Sequence, residues 1–102
     1  MFGWLWRRRA DLSRLQVVMY TRQGCHLCEE AWTRLKQARR RYAFVLEQID
    51  VDGDPALAAR YGEEVPVVTV NGKERFRGGV NAVLLERLLA AEARMQTTKT
   101  GE

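Results

Sequence analysis

The two cysteines of this 102-residue chain fall in one short segment, Cys25-His26-Leu27-Cys28. Such a pair can do redox chemistry or form part of a metal site. It is a poor structural staple, because closing so small a ring removes little entropy from the unfolded chain. A secreted disulfide scaffold would carry more cysteines, spread along the sequence. A tetrahedral metal site wants four protein ligands, or three and a water. The chain offers one histidine, His26, and no third cysteine. A site within one chain would therefore need carboxylates such as Glu29, and the alternative is a site shared between two chains. As a redox pair, the thiols would react as thiolates, which the unpaired amides of a helix N-terminus stabilise. The elements flanking the pair decide whether that condition is met.

Gln16–Thr21 (QVVMYT) is short, apolar and β-branched, and it predicts a buried strand. Arg22-Gln23-Gly24 breaks it, with Gly24 allowing a tight turn. A helix is expected from Cys25 to about Tyr42, because Cys28, Ala31, Trp32, Leu35, Ala38 and Tyr42 recur at three- and four-residue steps. Glu29 and Glu30 in its first turn and Arg39, Arg40 and Arg41 in its last would complement the helix dipole. Ala43–Val51 predicts a second strand. Asp54-Pro55 opens a short helix through Leu57 and Tyr61, with Gly62 at its end. Val65–Val70 predicts a third strand, Asn71-Gly72 a two-residue hairpin turn, and Lys73–Arg77 an antiparallel return. After Gly78-Gly79, Asn81 can cap a last helix with Leu84, Leu85, Leu88 and Leu89 on one face.

The order βαβαββα implies an α/β domain with a mixed four-stranded sheet and helices on both faces. Its expected extent is residues 16–94, between an N-terminal extension, 1–15, and a polar C-terminal tail, 95–102. Within it the cysteines begin a helix directly after a strand. Cys25 would meet most of the dipole field and stay partly exposed. Cys28, one turn further on, would point into the apolar face. Cys25 is then the candidate nucleophile and Cys28 the resolving thiol.

The run Tyr20-Thr21-Arg22-Gln23-Gly24-Cys25-His26-Leu27-Cys28-Glu29-Glu30 resembles the active site of the glutaredoxin-like branch of the thioredoxin superfamily. Val65-Pro66 is similar to that superfamily's cis-proline site, and Gly78-Gly79 to the glycine pair before the last glutaredoxin helix. The resemblance spans about Gln16 to Ala93. It implies a thioredoxin-like fold and reduction of protein or glutathione mixed disulfides. A Cys25–Cys28 disulfide would form in turnover, glutathione would serve as co-substrate, and an external thiol reductant would restore the dithiol. No bound cofactor or metal is implied. Pro66 would follow a cis bond and lie against Cys25, and Val65 would offer its backbone to an extended substrate. Arg22 would favour the thiolate and attract a glutathione carboxylate. Gly78, Gly79 and Asn81 would help hold the other. Three places depart from the family pattern. His26 and Leu27 replace the proline and aromatic residue after the first cysteine. Glu64 replaces the threonine before Val-Pro. Val80, Asn81 and Ala82 replace the acidic pair after the glycines.

Alternative roles stand beside these. His26 is either a solvated loop residue or a cation tuning Cys25. Arg22 is either a turn residue or an active-site cation. Pro66 could instead open an edge strand in the trans form. For the whole chain, the alternatives are a non-catalytic binding module or redox sensor, and a metal-bridged dimer.

Composition narrows the partners. A content of 46 % hydrophobic and 29 % charged residues is ordinary for one soluble globular domain. Most of the net charge of +4 belongs to Arg7, Arg8, Arg9 and Arg14, set against Asp11. The remainder is nearly neutral, which argues against a nucleic-acid partner. Phe2, Trp4, Leu5 and Trp6 beside the arginine triplet could let residues 1–9 touch an anionic membrane surface, although the stretch is short for stable anchoring and a docked or disordered arm is the favoured reading. No signal peptide or transmembrane run is evident. A monomer in the reducing cytoplasm is the expectation.

Overall fold

The computed structural model describes residues 9–100, with side chains through Gln96. Eight elements follow one another. These are β1 (Ala10–Thr21), α1 (His26–Ala38), β2 (Tyr42–Asp50), a 3₁₀ turn (Val51–Gly53), α2 (Pro55–Tyr61), β3 (Val67–Val70), β4 (Lys73–Arg77) and α3 (Ala82–Thr100). The sheet order is β2-β1-β3-β4. β1 and β2 are parallel across the α1 crossover, and the other two pairings are antiparallel. The mixed four-stranded α/β sheet expected from the sequence is therefore present.

Period-two alternation divides the sheet between two cores. Val17, Met19, Phe44, Val68 and Val70 face Cys28, Ala31, Leu35 and Ala38 of α1 and Leu85 and Leu89 of α3. Val67 and Tyr20 turn to the opposite face, against Val51, Leu57 and Tyr61. Helices thus cover both faces. Full burial of Phe44, Leu12, Met19, Leu35 and Leu89 contributes about 1.5–3 kcal/mol each relative to exposure.

Several expected boundaries are corrected. β1 begins at Ala10, so the boundary placed between residues 15 and 16 falls inside a strand. Leu12 pairs with Phe44 and Gln16 with Val45, leaving Ser13, Arg14 and Leu15 as a bulge on β1. The Ser13 amide donates to Asp11 Oδ1 at 3.0 Å where that bulge begins. The extra residues break the two-residue alternation, which hides the first half of the strand, yet Leu12 and Leu15 are both buried. The membrane contact considered for residues 1–9 lies, but for Arg9, outside the described residues. Arg9 itself donates to the Arg39 carbonyl at 2.9 Å.

α1 ends at Ala38, four residues early, with Arg39 as its C-cap. Arg39 Nε donates to the Phe44 carbonyl at 3.0 Å, so the chain turns back there instead of extending the helix. Tyr42 opens β2, and its hydroxyl donates to Glu86 of α3. α3 continues through Thr100, although a frayed tail was expected from residue 95. No glycine or proline interrupts Ala82–Thr100, which accounts for the continuation. Leu84, assigned to the buried stripe, is 51 % exposed. Asn71 and Gly72, at φ of 51° and 83°, form the expected hairpin turn. Among the described residues, no helix is long and apolar enough to cross a membrane.

Candidate active site

The turn after β1 delivers Cys25 to the start of α1. Gly24 takes φ +77°, a conformation only glycine adopts without strain. Cys25 is then the N-cap of α1, in extended geometry, and its Sγ accepts the Cys28 amide at 3.1 Å. The sulfur therefore occupies the place where a capping oxygen normally satisfies the first-turn amides. Cys25 is half-buried, whereas Cys28 is 2 % exposed within the α1 core face. The two sulfurs are joined as a disulfide. A nucleophile arriving from solvent meets Cys25, and a thiolate formed there lies on the positive end of the helix dipole.

The β3 approach closes one flank. The Val65–Pro66 bond is cis, and the Val65 carbonyl oxygen is 4.0 Å from Cys25 Sγ. Pro66 is buried, Val65 half-buried. Gly78, at φ +80°, donates its amide to the Pro66 carbonyl at 2.8 Å, tying the end of β4 to this loop. Gly79 has open space where a side chain would begin, so packing does not require glycine there. Arg77 pairs with both Glu64 and Glu74. Arg34 of α1 donates to the Val80 carbonyl, which fastens the second half of α1 to the segment leading into α3.

Two residues expected to meet glutathione carboxylates are engaged within the chain. Arg22 donates to Asp52 at 2.9–3.2 Å and, through Nη1, to the Gly62 carbonyl at 2.9 Å. The hydrogen bonds to Asp52 hold its guanidinium above its ordinary pKa, against the opposing effect of burial. The guanidinium thus clamps the turn before Cys25 to the end of α2. Asn81 Oδ1 accepts the Val83 and Leu84 amides at 2.9 and 3.0 Å, so it caps α3 and fills the anion-attracting position there. His26 is exposed, with Nδ1 3.8 Å from Glu29 Oε1.

Gly62 ends α2 as expected, but for a different reason. It is right-handed, at φ −51°, so no left-handed turn requires glycine. A β-carbon there would come within 2.5 Å of the Ala58 carbonyl and 2.7 Å of Arg22 Nη2. The glycine makes room for the arginine clamp.

On the other flank of the disulfide lies an open cleft of about 560 Å³. Both cysteines line it, together with Glu29, Trp32, Gln48 and Asp50. Helical spacing alone puts Trp32 on one face with Cys28, Ala31 and Leu35, and it gives Gln48 and Asp50 no role. The end of β2 is carried beside the start of α1 by the parallel β1–β2 pairing, and no local pattern signals that. Among the described residues, no three His, Cys, Asp or Glu side chains converge as metal ligands would.

The sheet, its two helical layers and the cysteine pair capping α1 define a thioredoxin-like protein with a CxxC pair at its helix N-terminus. The fold is shared with a mutant thioredoxin of Halobacterium salinarum, at TM-score 0.62 and 20 % identity, over 79 % of this chain and 76 % of that one. The family description "Glutaredoxin-like domain (DUF836)" matches residues 16–90, and the chain belongs to that family. Two solved structures are similar. Protein Ne2328 of Nitrosomonas europaea gives TM-score 0.64 and 32 % identity, over 74 % of this chain and 91 % of that one. Protein XcR50 of X. campestris gives TM-score 0.61 and 36 % identity, over 74 % and 96 %. An uncharacterized protein of Mycobacterium tuberculosis is 37 % identical over 68 residues, which are 62 % of this chain and 70 % of that one.

Proposed function

We propose that this protein is a thiol–disulfide oxidoreductase that reduces protein or glutathione mixed disulfides through Cys25 and Cys28. The observation that carries this reading is the asymmetry of the pair: a half-buried sulfur capping α1, and a 2 % exposed partner one turn behind it. The reduced protein starts with Cys25 as thiolate and Cys28 as thiol. Cys25 attacks a substrate disulfide, forms a mixed disulfide and expels one substrate thiolate, which takes up a proton. Cys28, giving up its proton, then attacks Cys25 Sγ. The second substrate thiol leaves, and the Cys25–Cys28 bond closes. Two electrons pass from the dithiol to the substrate, and an external thiol reductant returns them. A reducing compartment such as the cytoplasm suits this direction.

The Val65 carbonyl beside Cys25 supports pairing with an extended substrate backbone during the attack. The test is Cys28→Ser. With a disulfide substrate and no other thiol, the variant accumulates a mixed disulfide at Cys25, detected as added mass that a reductant removes. Absence of such an adduct, with Cys25 still free, would refute the assigned roles.

A further inference from the structure

We propose that the cleft on the Trp32 flank is a substrate subsite, and that it takes a cationic side chain next to the target cysteine of a polypeptide disulfide. The proposal rests on the oxidoreductase reading and names its substrate class. The cavity itself carries the argument. Both cysteines form part of its wall, so a group bonded to Cys25 in the mixed disulfide is held beside it. Its volume of about 560 Å³ is within the range of small-ligand pockets and ample for one side chain.

The charges on the wall select the occupant. Glu29 and Asp50 contribute carboxylates, Gln48 a neutral polar group and Trp32 a half-buried aromatic ring. Among the described residues, Asp50 accepts the backbone amide of Asp52 at 2.9 Å, and the Arg22 guanidinium acts on it without a direct hydrogen bond. Glu29 has exposed His26 at 3.8 Å. Among the described residues, Arg22 is the one arginine on the wall, and its guanidinium is turned to Asp52 and the Gly62 carbonyl. A lysine or arginine would therefore find negative charge that is only partly compensated, with an indole beside it for a cation–π contact. An anionic substrate would find the reverse. The groups expected to hold the carboxylates of a small anionic thiol, Arg22 and Asn81, are already bonded within the chain. The cleft thus favours a basic polypeptide over glutathione.

The experiment compares disulfide-linked dimers of short peptides in which lysine, glutamine or glutamate flanks the cysteine, with oxidised glutathione as a fourth substrate. The full-length dithiol protein is mixed with each, and its oxidation is followed by quenched alkylation and mass. Rates are divided by those of a free small dithiol, which removes intrinsic differences among the disulfides. The lysine peptide should react about tenfold faster than the glutamate peptide at low salt, and the advantage should shrink at high salt. Oxidised glutathione should group with the glutamate peptide. In Glu29→Gln/Asp50→Asn the lysine-to-glutamate ratio should fall most of the way to one. The ratio is taken within one protein, so a common loss of reactivity cancels. Asparagine at position 50 keeps an acceptor for the Asp52 amide, and Glu29→Gln alone, at an exposed position, should lower the ratio in part if the double variant does not fold.

A normalised ratio near one in the native protein would overturn the subsite. So would a ratio unchanged by the substitutions, or glutathione disulfide reacting as fast as the lysine peptide. Failure to reduce any of the four substrates is a different result: it would refute the oxidoreductase reading, and the subsite with it.

Discussion

Two helix N-termini in this molecule meet the same physical demand in opposite ways. α1 and α3 each begin with amides that have no partner inside the helix. At α3 the Asn81 carboxamide oxygen takes two of them, from Val83 and Leu84. The cap is neutral and permanent, and it makes the terminus a structural joint. At α1 the cap is Cys25 Sγ, a weak neutral acceptor that becomes a strong one on ionisation. The amides that would merely hold a helix together at Asn81 can acidify a nucleophile at Cys25. One backbone device therefore serves stability in one place and chemistry in the other, and the capping atom makes the difference.

The sharpest way to break this contrast is Cys25→Ser, studied with the wild type under reducing conditions. Serine is a good N-cap but a poor nucleophile at neutral pH, so helix and reactivity should separate. Disulfide reduction should fall by at least about a thousandfold. The denaturation midpoint should correspond to a change within about 1 kcal/mol. If stability fell along with activity, the sulfur would be doing more structural work than a cap requires.

Gly62→Ala tests the frame that holds the α1 terminus in place. The added methyl meets Ala58 and Arg22, so the clamp from Arg22 to Asp52 and Gly62 must shift. A loss of about 2 kcal/mol in denaturant unfolding is expected. Hydrogen-exchange protection should drop around residues 22–28 and stay in place around Asn81. Equal loss at both termini would mean that the clamp does not act locally.

Asn81→Ala removes the inert cap. It should cost about 1 kcal/mol of stability, and Asn81→Asp, which keeps the acceptor and adds favourable charge, should restore it.

The smallest effect concerns the body of α3. Hydrogen bonding from Tyr42, and then from Arg41, holds the Glu86 carboxyl below its ordinary pKa of 4.5. The same contact with Glu86, followed by burial, raises the Tyr42 hydroxyl above 10.0. A carboxyl lowered on folding adds stability above its unfolded pKa and loses it as pH falls through the folded value. Glu86→Gln should therefore flatten the loss of melting temperature between neutral pH and about pH 3, an effect kept modest by solvent around the pair. An unchanged acid slope would show that Glu86 gives α3 no pH-dependent hold on β2.

Much of this was legible in the chain. The strand–turn–helix around the cysteines, the Asp54-Pro55 helix start, the Asn71-Gly72 turn and the Asn81 cap all appear where local patterns place them. The β1 bulge defeated the pattern because three inserted residues shift the alternation. Tyr42 defeated it because its spacing from Ala38 fits a helix face as well as a strand start. Within the site, residue types pointed to the dithiol and to Pro66. They could not show that Arg22 turns away toward Asp52, or that Asn81 is used up as a cap.

The sequence by itself determined the elements, their order and the identity of the reactive pair. Those features depend on backbone sterics, side-chain period and capping among near neighbours. Tertiary structure alone decided where the Arg22 charge goes, and that Trp32, Gln48 and Asp50 stand around one cleft. Such contacts join residues far apart in the chain, and they exist only once the parallel pairing of β1 with β2 has brought the ends of those strands together.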